Sequence, residues 1–202
     1  MSLDDELSDL LIISLEQAVA APYCGLLLAS AGARVIKVER PEGDFARSYD
    51  NSINGKSAIF AWLNRGKESI SLDLKNITDK KIFKNMLKKA DVFLSNLTPG
   101  SLEKLELDYK QVKALNPKLI FCEITGYGNS KLAHSKKAYD FLIQAESGLC
   151  SVTGTEKYPS KVGISITDLS TGLTAYSAIL RGIIQRSKTK KGISISISMF
   201  DV

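Results

Sequence analysis

Short apolar runs alternate along this chain with longer stretches whose apolar residues recur at three- and four-residue spacings. The run LLIISL over 10–15 reads as a buried strand, and the segment after Pro22 reads as a helix to about Ala31. Gly32 follows where a left-handed cap residue is wanted. Residues 35–38 (VIKV) predict a second strand, and SISLDL over 69–74 alternates as a half-buried strand does. Over 79–90, Ile82, Phe83, Met86 and Leu87 share one stripe and predict a helix. Strands follow at 92–94 and at 119–124, the second preceded by Asn116-Pro117. Helices are expected over 139–147 and 169–185. In the last helix Leu169, Leu173, Tyr176, Ile179, Leu180 and Ile183 form the expected core-facing stripe. ISISISM over 193–199 alternates strictly and closes the pattern as a strand.

Strands spaced by helices imply right-handed βαβ crossovers and a largely parallel sheet. The expected fold class is therefore α/β, a doubly wound Rossmann-like sheet. Ligands of such sheets bind beyond the carboxyl ends of the strands, so the residues there matter most. The first such turn, EQAVAAP over 16–22, lacks GxGxxG, which counts against NAD or FAD. The second strand ends at Glu39-Arg40-Pro41. An arginine at this point accommodates a ribose phosphate, and a surface ion pair with Glu39 or Glu42 is its alternative role. Lys75 stands where another strand runs out, and SNLTPG over 95–100 ends a third. Basic and amide groups converging on one edge suit a polyanionic, nucleotide-like ligand.

Residues 162–172 (VGISITDLSTG) lead from a β-branched segment into the last helix, with Asp168 at its start. A carboxylate there lies beside free backbone N–H groups and the positive end of the helix dipole. It is expected to stay ionised and able to act as a nucleophile. A plain N-cap is the simpler role for an aspartate so placed.

A length of 202 residues, with 44% hydrophobic and 24% charged residues, suits one sizeable globular domain or one domain and part of a second. The apolar run at 10–15 is too short to span a bilayer and lacks the flanks of a secretory signal, so a cytoplasmic protein without membrane attachment is expected. Cys24, Cys122 and Cys150 are scattered without CxxC spacing, which argues for reduced core thiols and against a disulfide framework or a metal site. The net charge of +5 includes Lys80, Lys81, Lys84, Lys88 and Lys89 in one segment. This reads as the solvated face of a helix, and no interleaving of basic and aromatic residues supports a nucleic-acid partner. The single histidine, His134, falls in a polar loop and is expected to be solvated.

The blocks APYCGLLLASAGARVIKVERPEGD, SISLDLK, ADVFLSNLTPG, NPKLIFCEITGYG, AYDFLIQAESGL and SVTG, followed by the Asp168 segment, resemble in this order the class III CoA-transferases (CaiB/BaiF type). That family includes formyl-CoA and carnitine CoA-transferases and the alpha-methylacyl-CoA racemases. The resemblance spans nearly the whole chain. It implies a Rossmann-like large domain with a small domain, an interlocked homodimer, and acyl-CoA and a carboxylic acid as substrates, with no metal. Asp168 matches the family nucleophile, which attacks the acyl-CoA thioester to give an aspartyl-acyl anhydride. Arg40, Lys75, Asn96, Leu97, Lys104 and Lys137 match positions that contact coenzyme A, with Ala18, Val19 and Leu72 adding backbone or apolar contact. Tyr139 and Asp140 match the pair beside the acyl site. The racemase branch carries a histidine directly before that aspartate, where this chain has Tyr139, so the resemblance favours a transferase over a racemase.

Three departures qualify the match. The family's Asn-Phe-Arg-Pro-Gly is NLTPG over 96–100, and its Gly-Pro after the GYG block is replaced over 129–135. Family members are also much longer. Residues 1–202 are therefore expected to form the N-terminal part of the CoA-binding large domain, with the small domain and its glycine-rich loop absent. A complementary C-terminal chain, as in a split enzyme, and a CoA-binding remnant without catalysis are the alternatives this leaves.

Overall fold

The computed structural model describes residues 5–128 and 136–202. In chain order the first half contains β1 (Leu11–Leu15), α1 (Ala20–Ser30), β2 (Arg34–Glu39), α2 (Ala58–Asn64), β3 (Glu68–Ser71), α3 (Ile77–Leu87) and β4 (Val92–Ser95). A 3-10 turn, Phe45–Ser48, lies between β2 and α2. The second half contains α4 (Ser101–Lys104), α5 (Tyr109–Leu115), β5 (Ile120–Thr125), α6 (Asp140–Glu146), α7 (Leu149–Val152), the small hairpin β6 (Gly154–Thr155) and β7 (Tyr158–Pro159), α8 (Ile166–Thr189) and β8 (Ser194–Ser198).

Six strands form one sheet in the order β3-β2-β1-β4-β5-β8, and every neighbouring pair is parallel. This is the doubly wound α/β arrangement expected from the alternation of strands and helices. Both faces of the sheet are covered, so the central strands are predominantly apolar, with Ser14, Lys37 and Ser95 as buried polar positions. On one face Ile12, Cys24, Leu28, Val35, Cys122, Ala175 and Ile179 pack between the sheet, α1 and α8. On the other, Ile13, Phe83, Leu87, Leu107 and Val112 pack under α3 and α5. There Phe83, Phe93 and Phe121 meet edge to face, with ring centroids 5.7 and 5.5 Å apart.

Several boundaries differ from the pattern for identifiable reasons. Helix α3 begins at Ile77 because the Asn76 side chain caps it, accepting from Thr78 N–H at 2.8 Å and Asp79 N–H at 3.3 Å. Phe83 and Leu87 of its stripe are buried, whereas Ile82 is exposed. Strand β3 stops at Ser71, although Leu72 still donates its N–H to the Glu39 carbonyl and Leu72 and Leu74 remain buried.

The largest correction concerns α8. Its buried face is Thr167, Thr171, Gly172, Ala175, Ile179 and Gly182, while Leu173 is 53% exposed. Small residues occupy that face because α8 runs against α1 at close range: a β-carbon at Gly172 would fall 2.6 Å from the Ala20 carbonyl oxygen. Tyr176, Leu180 and Ile183 flank this seam and are partly buried.

Cys24 and Cys122 are buried free thiols and Cys150 is half-buried. Lys80 and Lys84 of α3 each lie 3.4 Å from Glu106, and the lysine row is solvated as expected. Among the described residues no helix is long and apolar enough to cross a membrane. His134 and the loop over 129–135 lie outside the described residues.

Candidate active site at the carboxyl ends of the strands

Strand β1 lies between β2 and β4, so the chain leaves β1 and β4 toward opposite faces and opens a crevice at their carboxyl ends. Gln17 and Asn96 bridge it. Gln17 N–H donates to Asn96 Oδ1 at 2.9 Å, and Asn96 Nδ2 donates back to the Gln17 carbonyl at 2.8 Å. The next residue, Ala18, has φ +63°, and α1 starts two residues later.

Two cavities follow this crevice. The first, of about 390 Å³, is lined by Ala18, Asn96, Leu97, Lys137, Tyr139 and Asp168 among others. The second, of about 190 Å³, is lined by Arg40, Leu72, Lys75 and Leu97 among others. Gln17 and Leu97 belong to both walls, which makes the two cavities neighbours along one edge. Eleven of the twelve positions singled out from sequence thus lie on or directly behind this surface, Asp140 and Val19 being the two behind it. Val19 is buried at the N-cap position of α1. Asp140 sits behind Asp168, bonded to its N–H. Lys104, at the exposed end of α4, lines neither cavity.

Arg40 is exposed at the rim, where its Nε donates to the Gly43 carbonyl at 2.9 Å and lies 4.0 Å from Glu42. Glu39 is not its partner. Glu39 accepts from Arg47 at 2.7 and 2.8 Å, from Ser69 Oγ at 2.7 Å and from Asp44 N–H at 3.0 Å. Burial pushes the Glu39 carboxyl up, but these donors outweigh it and hold its pKa at about 2.

Asp168 is the third residue of α8, and it does not cap the helix. The cap comes from α6: Asp140 Oδ1 accepts Thr167 N–H at 2.8 Å, Thr167 Oγ1 at 2.6 Å and Asp168 N–H at 3.2 Å. Its Oδ2 accepts Gln144 Nε2 at 2.6 Å. The Ser165 side chain at the N-cap position makes no capping bond. With the orphan donors of α8 already satisfied, the Asp168 carboxylate is left to face the cavity, where the Ala20 N–H at the start of α1 favours its charged form.

The expectation that Asp168 stays fully ionised is corrected here. Burial, and then the negative charge of Asp140, raise its pKa to about 7, and the Ala20 N–H only partly opposes them. Two helix N-termini do not offset removal from water beside a second carboxylate. Near neutrality Asp168 is thus poised between its two forms.

Sequence reasoning missed other parts of the wall. Gln17, Phe45, Tyr49, Tyr127 and Lys136 line the first cavity from irregular segments where no periodicity marks them. Tyr49 is held as a neutral phenol, with its pKa pushed to about 12 by burial and then by Asp168, Asp44 and Tyr139. Among the described residues, no group of three or more His, Cys, Asp or Glu is placed to hold a metal ion.

The fold and crevice define an α/β protein whose candidate nucleophile is a carboxylate beside a nucleotide-sized surface. Residues 7–202 match the model of CoA-transferase family III, and the chain belongs to that family. It is 39% identical over 191 residues to a succinyl-CoA:glutarate CoA-transferase of Mus musculus, covering 93% of this chain and 44% of the mouse protein. It is also 39% identical over 196 residues to an acetyl-CoA:oxalate CoA-transferase of Acetobacter aceti, covering 95% of this chain and 50% of that one. A crystal structure of a CaiB/BaiF family protein from Brucella suis superposes with a TM-score of 0.93 at 37% identity, over 98% of this chain and 54% of that protein. The chain spans about half the length of the curated relatives it matches.

Proposed function

We propose that this chain forms the CoA-binding, N-terminal part of an acyl-CoA:carboxylate CoA-transferase in which Asp168 is the covalent nucleophile. The observation that carries this reading is the Asp168 carboxylate itself. It is relieved of capping by Asp140 and opens into a cavity that adjoins one rimmed by Arg40 and Lys75. The relatives named as transferring CoA between carboxylic acids supply the reaction class.

In this reading an Asp168 oxygen attacks the thioester carbonyl of the donor, the C–S bond breaks, and CoA leaves as thiolate. The product is an aspartyl-acyl anhydride. CoA thiolate then attacks the aspartyl carbonyl, which frees the donor carboxylate and leaves an aspartyl-CoA thioester. The acceptor carboxylate displaces CoA again to form a second anhydride, and the thiolate takes the acceptor acyl group and regenerates Asp168. Each anhydride is more activated than the thioester it came from and is consumed by CoA thiolate, so the sequence as a whole exchanges one thioester for another through covalent steps. A nucleophile with a pKa of about 7 is ionised in useful amount at neutral pH and remains basic enough to attack. Arg40, Lys75 and Lys137 supply positive charge for the phosphates of coenzyme A. A second copy of the chain, or a complementary chain, completes the acyl pocket.

Calorimetric titration of the purified chain with CoA, with ATP as control, tests the binding half of this reading. Saturable binding that prefers CoA is expected. A folded sample that binds neither, or both equally, contradicts a built CoA site in this chain.

A further inference from the structure

Behind the turn that carries Ala18 lies a group of buried charges that the proposed reaction does not use. Lys37, Glu16 and Lys67 have side chains exposed by 2% or less. Lys37 Nζ donates to Asp44 Oδ2 at 2.7 Å and to Asn64 Oδ1 at 3.1 Å, and lies 3.8 Å from Glu16. Lys67 pairs with Glu16 and donates to the Pro22 carbonyl at 2.8 Å. Two cations and two carboxylates therefore balance one another in the interior.

Besides bonds to Ser14, Asn64 and Ala46, this group reaches one short piece of backbone at two points. Glu16 is its first residue. Lys67 holds Pro22, in the first turn of α1. Asp44 Oδ1 accepts Ala18 N–H at 3.2 Å as well as Ala46 N–H at 2.9 Å. Ala18 stands at φ +63°, a left-handed conformation that L-residues other than glycine avoid. The chain enters α1 through this residue, and Ala20, which lines the same cavity as Asp168 and whose N–H favours the charged form of that carboxyl, follows directly. From the opposite side, Asn96 secures Gln17.

We propose that Asp44 is a positioning residue: charge-locked by buried Lys37, it holds Ala18 in the left-handed conformation and thereby aims the Ala20 N–H at the Asp168 carboxylate. The inference rests on the reading of Asp168 as the nucleophile. It adds a reason why charges worth burying only in pairs lie behind a substrate wall. Asp44 borders the second cavity, but its carboxylate is turned inward onto Lys37 and its effect on Asp168 passes through backbone.

The test reads Asp168 directly, without CoA or turnover. Protein carrying carboxyl-¹³C aspartate is titrated by NMR, with the Asp168 signal assigned from Asp168→Asn. The groups that face Asp168 are Asp140 from α6, Tyr49 after the 3-10 turn, Tyr139 and the Ala20 N–H of α1. Removing Lys37 and Asp44 together, as Lys37→Met with Asp44→Leu, deletes one charge of each sign and the acceptor for Ala18. The Asp168 midpoint is expected to rise by about half to one pH unit, the worth of one backbone hydrogen bond. Adding Ala18→Gly, which adopts positive φ freely, should return at least half of that shift. Should the double variant fail to fold, Ala18→Val in the intact network is expected to raise the midpoint in the same way, because a β-branched residue resists this conformation.

An unchanged midpoint in whichever of these variants folds overturns the proposal. So does a shift that Ala18→Gly leaves untouched, since a general loosening of the core would not be relieved by glycine at one residue. Loss of acyl transfer from the wild-type protein would count against the nucleophile role and leave this result standing, so the two failures are distinguishable.

Discussion

Gly172 of α8 lies so close to Ala20 of α1 that a β-carbon would stand 2.6 Å from the Ala20 carbonyl oxygen and 3.0 Å from the Tyr23 ring. One helical turn earlier on the same side stands Asp168, whose charged form the Ala20 N–H favours. The approach that glycine permits is thus the approach that brings the carboxylate to the start of α1. Gly172→Ala should lower stability by about 1–3 kcal/mol through overpacking against backbone. Gly182→Ala meets only side-chain methyls at 3.3–3.4 Å, and the helix propensity gained, about 1 kcal/mol, should offset the crowding. Urea unfolding of both variants checks the contrast, and equal losses would contradict it.

Asp168 predicts an inverted pH dependence. In the unfolded chain it titrates near 4, as aspartates do, whereas folded it keeps its proton up to about 7. Between those values the folded state binds more protons, so this group withdraws stability as pH rises. Asp168→Asn, neutral throughout, should match the wild type near pH 4 and melt higher at pH 8. Thermal unfolding at both values decides it; a difference independent of pH contradicts the assigned environment.

Asp140 should act on Asp168 in the direction opposite to Asp44. Removing its charge as Asp140→Asn should move the Asp168 midpoint down toward the ordinary carboxylate range. Weakening the cap of α8 should cost about 1 kcal/mol at the same time. Carboxyl ¹³C titration and denaturant unfolding read the two effects separately.

Arg40 and Lys75 rim the second cavity, and among the described residues neither has a carboxylate closer than the 4.0 Å between Arg40 and Glu42. Each alanine variant should weaken CoA binding several-fold at low salt, and less at high salt, where exposed charges are screened. If Arg40 meets the ribose phosphate, Arg40→Ala should lose little against 3′-dephospho-CoA. Calorimetry with both ligands separates that outcome from a uniform loss.

Much of this was legible because the physics is local. A parallel strand buried on both faces reads as an apolar run, and LLIISL, VIKV and LIFCEI announced β1, β2 and β5. The carboxyl ends of β2, β3 and β4 led to Arg40, Lys75 and Asn96, and the start of the last helix to Asp168. What stayed hidden depends on partners distant in sequence. Lys37 reads as a polar break inside VIKV, and only the fold supplies Asp44 and Asn64 to bury it. The core face of α8 was misassigned to Leu173 because side-chain size suggested the buried stripe, whereas the close approach of α1 selects Thr171, Gly172 and Ala175. Asp168 looked like a cap, and only the placement of Asp140 on α6 shows the cap supplied from elsewhere. Tyr49 and Gln17 sit on irregular backbone, where spacing carries no signal.

The measurement that bears most directly on Asp168 as nucleophile is chemical trapping. The protein is incubated with an acyl-CoA donor and hydroxylamine, digested, and its peptides are read by mass spectrometry. An activated aspartyl anhydride or thioester is captured as a hydroxamate, so the predicted result is a hydroxamate on Asp168 that disappears in Asp168→Asn. A hydroxamate on another residue, or none from a preparation shown to bind CoA and transfer the acyl group, would contradict the assignment.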